Sequence, residues 1–228
     1  MRPSTTERVR PGAASASTAV ERVTGLVRDE ILNGELEPGT PLREESAAAR
    51  YGVSRHTVRA AFQRLVAERL ATAEPYRGVR VTSFDAPQII ALQQLRAALE
   101  IEALRIAFAR FGGTLPESVL GPARAAADAM EGAADGGPGG ATDAAWREVE
   151  RHHAEFHAAL VAASDSPRII EAHAAIGGEL LLFVAHIRRH ATVADLVEEH
   201  RRLLSELLER GPEAMRDHLE HSTRLLID

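Results

Sequence analysis

The chain has 228 residues, a formal net charge of -6, 45% hydrophobic residues, 26% charged residues and no cysteine. At roughly 150 residues per domain, this length holds two small domains or one large one. The missing cysteine excludes disulfides, thiolate metal sites, iron-sulfur clusters and a cysteine nucleophile, so any metal site must use His, Asp or Glu.

The few aromatics (six Phe, two Tyr, one Trp) and the abundance of Ala, Leu, Arg and Glu favour packed helices over a β-sandwich. Every side chain with a permanent positive charge is Arg, so anion recognition here would use the rigid guanidinium fork. Residues 1–85 carry a net +2 and the remainder a net -8, with seven Arg between Arg50 and Arg80 against Glu68 and Glu74. A cationic segment on an acidic chain points to an anion-binding module. Nine of the ten His lie after residue 150.

Residues 1–18 read as a loose polar tail, not a signal peptide. The longest apolar run, Leu180 to Ala185, is far short of the roughly 20 residues that cross a bilayer. These features predict a soluble, cytoplasmic protein with no membrane partner. Val20, Val23, Val27 and Ile31 then recur at helical intervals, and Asn33-Gly34 stops the pattern. After the turn Glu37-Pro38-Gly39, a short helix runs from about Arg43 to Arg50 and ends at Tyr51-Gly52. Ser54 is placed to N-cap a helix to about Val66, with Val58, Phe62 and Leu65 on one face.

Two β-prone stretches, Leu70–Ala73 and Val79–Thr82, flank the basic tip Glu74-Pro75-Tyr76-Arg77-Gly78. Taken alone, the Arg-rich helix could be an ordinary amphipathic helix with solvated cations. Helix, turn, helix and basic hairpin in this order make residues 19–85 a winged helix-turn-helix that binds nucleic acid.

The run Ile31-Leu32-Asn33-Gly34-Glu35-Leu36-Glu37-Pro38-Gly39, the run Gly52-Val53-Ser54-Arg55-His56-Thr57-Val58-Arg59, Arg64-Leu65, and Arg77-Gly78 with Val81 carry a resemblance. They are similar to the DNA-binding domain of the GntR family of bacterial transcriptional regulators. The resemblance implies a double-stranded, palindromic DNA operator as partner. Arg55 and Arg59 would reach bases or phosphates, Thr57 a phosphate, and the wing tip at Arg77 and Gly78 the adjacent minor groove. Ser54 and His56 belong to the same helix start. Glu45 stands where the family usually carries Arg, so that contact would move to Arg43 or Arg50.

After Phe84-Asp85-Ala86-Pro87 the pattern is helical, with helices at about 87–110, 116–132, 142–163, 167–190, 193–210 and 212–227. Residues 86–228 therefore form an antiparallel all-α helical bundle, and the whole protein is mainly α with a small β-hairpin wing. Trp146, Val149, His153, Phe156 and Leu160 share one face, with His157 one turn beyond His153. His200 lies in a stripe with Leu196, Leu203 and Leu207, and His218 in one with Met215, Leu219 and Leu226. An i, i+4 His pair can hold one metal from a single helix, and two inward His from neighbouring helices can complete the set. The plain alternative is four hydrogen-bonded core imidazoles. Nitrogen ligands suit a divalent transition metal, zinc first with nickel or copper as alternatives.

Leu95-Arg96-Ala97-Ala98-Leu99-Glu100, Phe156-His157 with Leu160, Ser166-Pro167, Glu199-His200 and Met215-Arg216-Asp217-His218-Leu219 resemble the FCD-type effector domain of the FadR subfamily. By that resemblance the ligands would be His153, in a place where metal-binding members carry Asp, with His157, His200 and His218. His221 is a rival for His218, and His173 a further inward contact. Arg96 matches the subfamily's pocket Arg and would anchor a small carboxylate effector. Its alternative is a surface ion pair with Glu100. The expected whole is a homodimeric, effector-responsive transcriptional regulator and not an enzyme. Two rivals are the same regulator without metal and a metal-dependent hydrolase. Against the hydrolase, no His-Glu-x-x-His arrangement and no glycine-rich phosphate loop occurs.

Overall fold

A computed structural model describes residues 18–134, 142–187 and 190–227. Residues 1–17 of the predicted tail, residues 188, 189 and 228, and most of the glycine-rich stretch before residue 142 lie outside them, while Thr18, predicted to belong to the tail, is the first residue described.

Helix α1 (Ala19–Leu32) opens on a capping box between Thr18 and Glu21, and helix α2 (Glu44–Tyr51) ends on Gly52, whose φ of 65° suits a left-handed cap. Helix α3 (Arg55–Ala67) starts where expected, with Ser54 Oγ accepting the backbone N–H of Thr57 at 3.1 Å. The wing is β2 (Ala71–Glu74) paired antiparallel with β3 (Gly78–Val81). Its turn passes through two positive-φ residues, Tyr76 and Gly78. A third strand, β1 (Pro41–Leu42), pairs with the other edge of β3, giving the order β1-β3-β2. Two residues are too short to show a period of two, so this strand was invisible in the sequence. Val23, Val27, Ile31, Val58, Phe62, Leu65, Leu70 and Val81 form the core beneath helices and wing.

The helical unit contains α4 (Ala86–Arg110), α5 (Glu117–Ala134), α6 (Asp143–Ala162), α7 (Pro167–Ala175), α8 (Gly177–Ile187), α9 (Val193–Arg210) and α10 (Glu213–Ile227). Helix α5 packs on α6 and α9, while α4 packs on α10, α6 and α7. A second hydrophobic cluster, including Leu104, Met130, Phe156, Leu160, Phe183, Leu203, Leu207 and Met215, fills the space between them.

The single helix expected over 167–190 is two helices, broken at Ile176 before Gly177-Gly178. Glycine is poor in a helix interior, and here the interruption turns α8 toward the winged-helix core, where Leu182 is buried.

Candidate metal centre and nucleic-acid interface

Helix α6 carries His153 and His157 one turn apart, α9 carries His200 and α10 carries His218; each is at most 6% exposed. The apolar stripes predicted for these helices all face the second cluster, so the His within them meet inside it. Ring centroids lie 4.8 Å apart for His153 and His157, 4.7 Å for His153 and His200, 4.9 Å for His200 and His218, and 5.4 Å for His157 and His218. One nitrogen from each of His153, His157 and His200 falls within 4.8 Å of the others, a group able to hold a metal ion. His218 packs against this group but stands outside its tightest set. Phe156 closes one side, 4.7 Å from the His200 ring.

The outward nitrogens of His157 and His200 are held. His157 Nδ1 lies 2.7 Å from Glu100 Oε2, and His200 Nδ1 lies 2.6 Å from the Leu196 carbonyl. A carbonyl only accepts, so His200 Nδ1 carries the proton. Burial opposes the charge of Glu100, but Arg96, then His157, and hydrogen bonds from His157 and His173 hold its carboxyl well below the usual carboxylate range. Glu100 is therefore an anionic acceptor, and His157 Nδ1 donates to it. Burial pushes the His157 imidazolium down to about 4 despite Glu100. Burial, reinforced by the neighbouring imidazoles, also drops His153 and His200 well below their ordinary value.

With neutral rings and both Nδ1 atoms protonated, the Nε2 atoms of His157 and His200 present lone pairs to each other across 3.3 Å. His153 Nδ1 and His218 Nδ1 are buried without a hydrogen-bond partner. Glu199 Oε1 lies 3.5 Å from His218 Nδ1 and 3.6 Å from His221 Nε2. His221 is 45% exposed at its side chain, so of the two rivals His218 is the one inside.

Arg96 is placed beside the centre, with Nε donating to Glu100 at 2.8 Å and Nη1 to Gln93 Oε1 at 3.1 Å, leaving Nη2 without a partner. The ion pair with Glu100 exists, but at 1% exposure for both side chains it is not a surface pair. His173 is buried as expected, yet its Nε2 sits 3.3 Å from Glu100 Oε1 and outside the three-histidine group. Glu100 is the residue that sequence reasoning missed. Its signal was present, because Leu92, Arg96, Glu100, Ala103 and Ala107 continue one helical stripe of α4.

On the other unit, Ser54, Arg55, His56, Arg59, Arg77 and Gly78 are exposed on α3 and the wing, Thr57 is half-buried, and Arg43 and Arg50 are exposed at the two ends of α2. Arg43 and Arg77 border one shallow groove between the start of α2 and the wing. The helix arginines are not free cations. Arg59 reaches both Glu44 carboxylate oxygens at 2.7 Å, Arg55 pairs with Glu45 at 2.6 Å, and Arg50 pairs with Glu30 at 2.8 Å. Glu45, which stands where the family usually carries Arg, thus holds the Arg55 guanidinium of α3.

Residues 19–81 match the family model for bacterial regulatory proteins of the gntR family, and residues 91–224 match that for the FCD domain. A relative from Paenarthrobacter nicotinovorans, described as a probable D-xylose utilization operon transcriptional repressor, is 28% identical over 205 residues, covering 90% of this chain and 85% of its own. The transcriptional repressor GlaR of Escherichia coli K12 is 29% identical over 150 residues, covering 64% and 63%. The crystal structure of a GntR transcriptional regulator from Rhodococcus sp. RHA1 superposes with a TM-score of 0.66 at 26% identity, over 91% of this chain and 97% of the other. McbR/YncC from E. coli, 20% identical with a TM-score of 0.62 over 92% and 95%, shares the fold.

Proposed function

Because this chain belongs to the GntR family and carries an FCD domain behind its winged helix, it is a transcriptional regulator rather than an enzyme, and we propose how its parts divide the work. Residues 19–85 read a palindromic DNA operator. Residues 86–228 dimerise, hold a divalent transition metal at His153, His157, His200 and His218, and bind a small carboxylate effector next to it. Arg55 and Arg59, with Ser54, His56 and Thr57, meet the major groove; Arg43 and Arg50 meet phosphate; Arg77 and Gly78 meet the minor groove. A cytoplasmic location goes with this reading.

The observation that carries the metal is the facing pair of Nε2 atoms on His157 and His200. Two buried acceptors at 3.3 Å repel unless a proton or a cation joins them, and burial strongly disfavours the proton. Acceptors on Nδ1, here Glu100 and the Leu196 carbonyl, are what metal-bound imidazoles use to fix tautomer and ring orientation. When bound, the ion supplies a Lewis-acidic position for an anionic oxygen, and nitrogen donors select zinc, nickel or copper over magnesium or calcium. Four neutral imidazoles do not cancel its charge, and Glu100 is already balanced by Arg96. An organic acid therefore fits, with Arg96 Nη2 as the donor left for its second carboxylate oxygen. An effector bound there acts on DNA affinity only through a differential fit to two arrangements of the helices.

Elemental analysis and zinc titration of tag-free protein, with thermal unfolding in EDTA, test this. Stoichiometric zinc and stabilisation by about 2.7 kcal/mol at a hundredfold excess over Kd are expected. Metal-free protein whose unfolding ignores both zinc and EDTA supports the reading with a protonated histidine pair instead. Adding organic acids with and without zinc to the same unfolding assay then tests the effector class.

A further inference from the structure

Helix α8 presents two faces. Leu180, Phe183 and Val184 are buried in the cluster of the helical unit, while Leu182 is buried in the core of the winged helix. One turn before Leu182, Gly178 meets the main chain just past α3. A Cβ at Gly178 would stand 1.8 Å from the Glu68 carbonyl oxygen and 3.4 Å from Leu70 Cγ, whereas one at Gly177 would meet nothing within 4 Å. Glu68 is the C-cap of α3, so α8 abuts the end of the helix that carries Arg55 and Arg59. Arg69, in the left-handed region at φ 59°, pairs with Glu179 at 3.6 Å across the same contact.

Another face of α8 approaches the histidine centre through Phe183. The Phe183 ring lies 5.7 Å from the Arg96 guanidinium, Arg96 holds Glu100, and Glu100 holds His157. A contiguous chain of contacts therefore runs from His157 through Glu100 and Arg96 to the Phe183 side chain of α8.

We propose that α8 is the strut through which the histidine centre sets the position of the winged helix, with Gly178 and Leu182 as the positioning residues that seat it. This inference rests on the metal reading above. A carbonyl against a glycine Cα permits a close, stiff contact that no other residue allows. Interfaces packed this closely tend to switch between discrete arrangements rather than deform smoothly. Contiguity alone is not coupling, so the test measures the coupling itself.

Hydrogen exchange of the full chain in EDTA and in excess zinc reads two segments separately. Slower exchange in α6 and α9 reports metal binding; altered exchange over residues 64–72 reports the seat of α8. In the wild type and in Gly177→Ala, zinc is expected to change exchange at both, by about fivefold or more at the second. In Gly178→Ala the response of α6 and α9 persists and that of residues 64–72 is lost. Leu182→Ala, which softens the same seat without a clash, gives the same separation if Gly178→Ala does not fold. Zinc that leaves α6 and α9 unchanged in the wild type overturns the metal reading, and this inference with it. Zinc protection of α6 and α9 with no response over residues 64–72, or a full response there in either seat variant, overturns the strut alone.

Discussion

The winged helix and the helical unit place their functional groups in opposite surroundings. Arg55 and Arg59 stand 63% exposed and paired with carboxylates in water, while Arg96 and Glu100 are paired at 1% exposure and the four histidines are nearly as deep. Exposed pairs exchange partners easily, which suits the proposed transfer of both arginines from Glu44 and Glu45 to DNA. Buried groups have no water to fall back on, so each must be matched where it stands. Binding at the surface should therefore be adjustable and salt-dependent, and binding in the core close to all-or-none.

Breaking the buried side should have the largest effect. Glu100→Gln leaves the Arg96 charge without its counterion and is expected to destabilise the metal-free protein by about 3–5 kcal/mol in urea unfolding. Replacing both partners together, Arg96→Met with Glu100→Leu, should lose much less stability. A loss below about 1 kcal/mol for Glu100→Gln would mean that water reaches the pair, and the contrast between the two regions would fall. At the surface, Arg59→Ala should leave unfolding nearly unchanged and weaken binding to a duplex selected from a randomised pool. A bidentate base contact implies about 1–3 kcal/mol, and a phosphate contact lowers the salt slope by about 0.9. Unaltered affinity at every salt concentration would remove Arg59 from the interface. The smallest effect is expected from Glu45→Ala, which removes a carboxylate from the proposed phosphate-facing surface and frees Arg55. Affinity for the same duplex should rise by less than about 1 kcal/mol and the gain should fade at high salt, as measured by fluorescence anisotropy.

How far the site was legible follows the same division. His153, His157, His200 and His218 could be read from helical stripes because one element's inward face is a local property of spacing. Glu100 obeyed the same spacing, but a carboxylate four residues from an arginine reads equally well as a solvated pair. Only the helices covering α4 decide between the two. His221 and His218, three residues apart, were separable only once α9 and α10 were packed. The sequence showed the cations of α3 but not their partners, since Glu44 and Glu45 lie on another helix.

Taken by itself, the sequence determined the helix-turn-helix and wing, the helical character of the rest, the inward histidines and the family, because periodicity, caps and turn residues act over a few neighbours. The tertiary structure decided what depends on distant segments meeting. It paired β1 with the free edge of β3 and broke the expected helix at Ile176, so that Gly178 could seat against Glu68. It also enclosed Arg96 and Glu100, and aimed two histidine lone pairs at one point. Burial and the distance between groups far apart in sequence exist only when the chain is packed, and they set the charge states of Glu100, His153, His157 and His200.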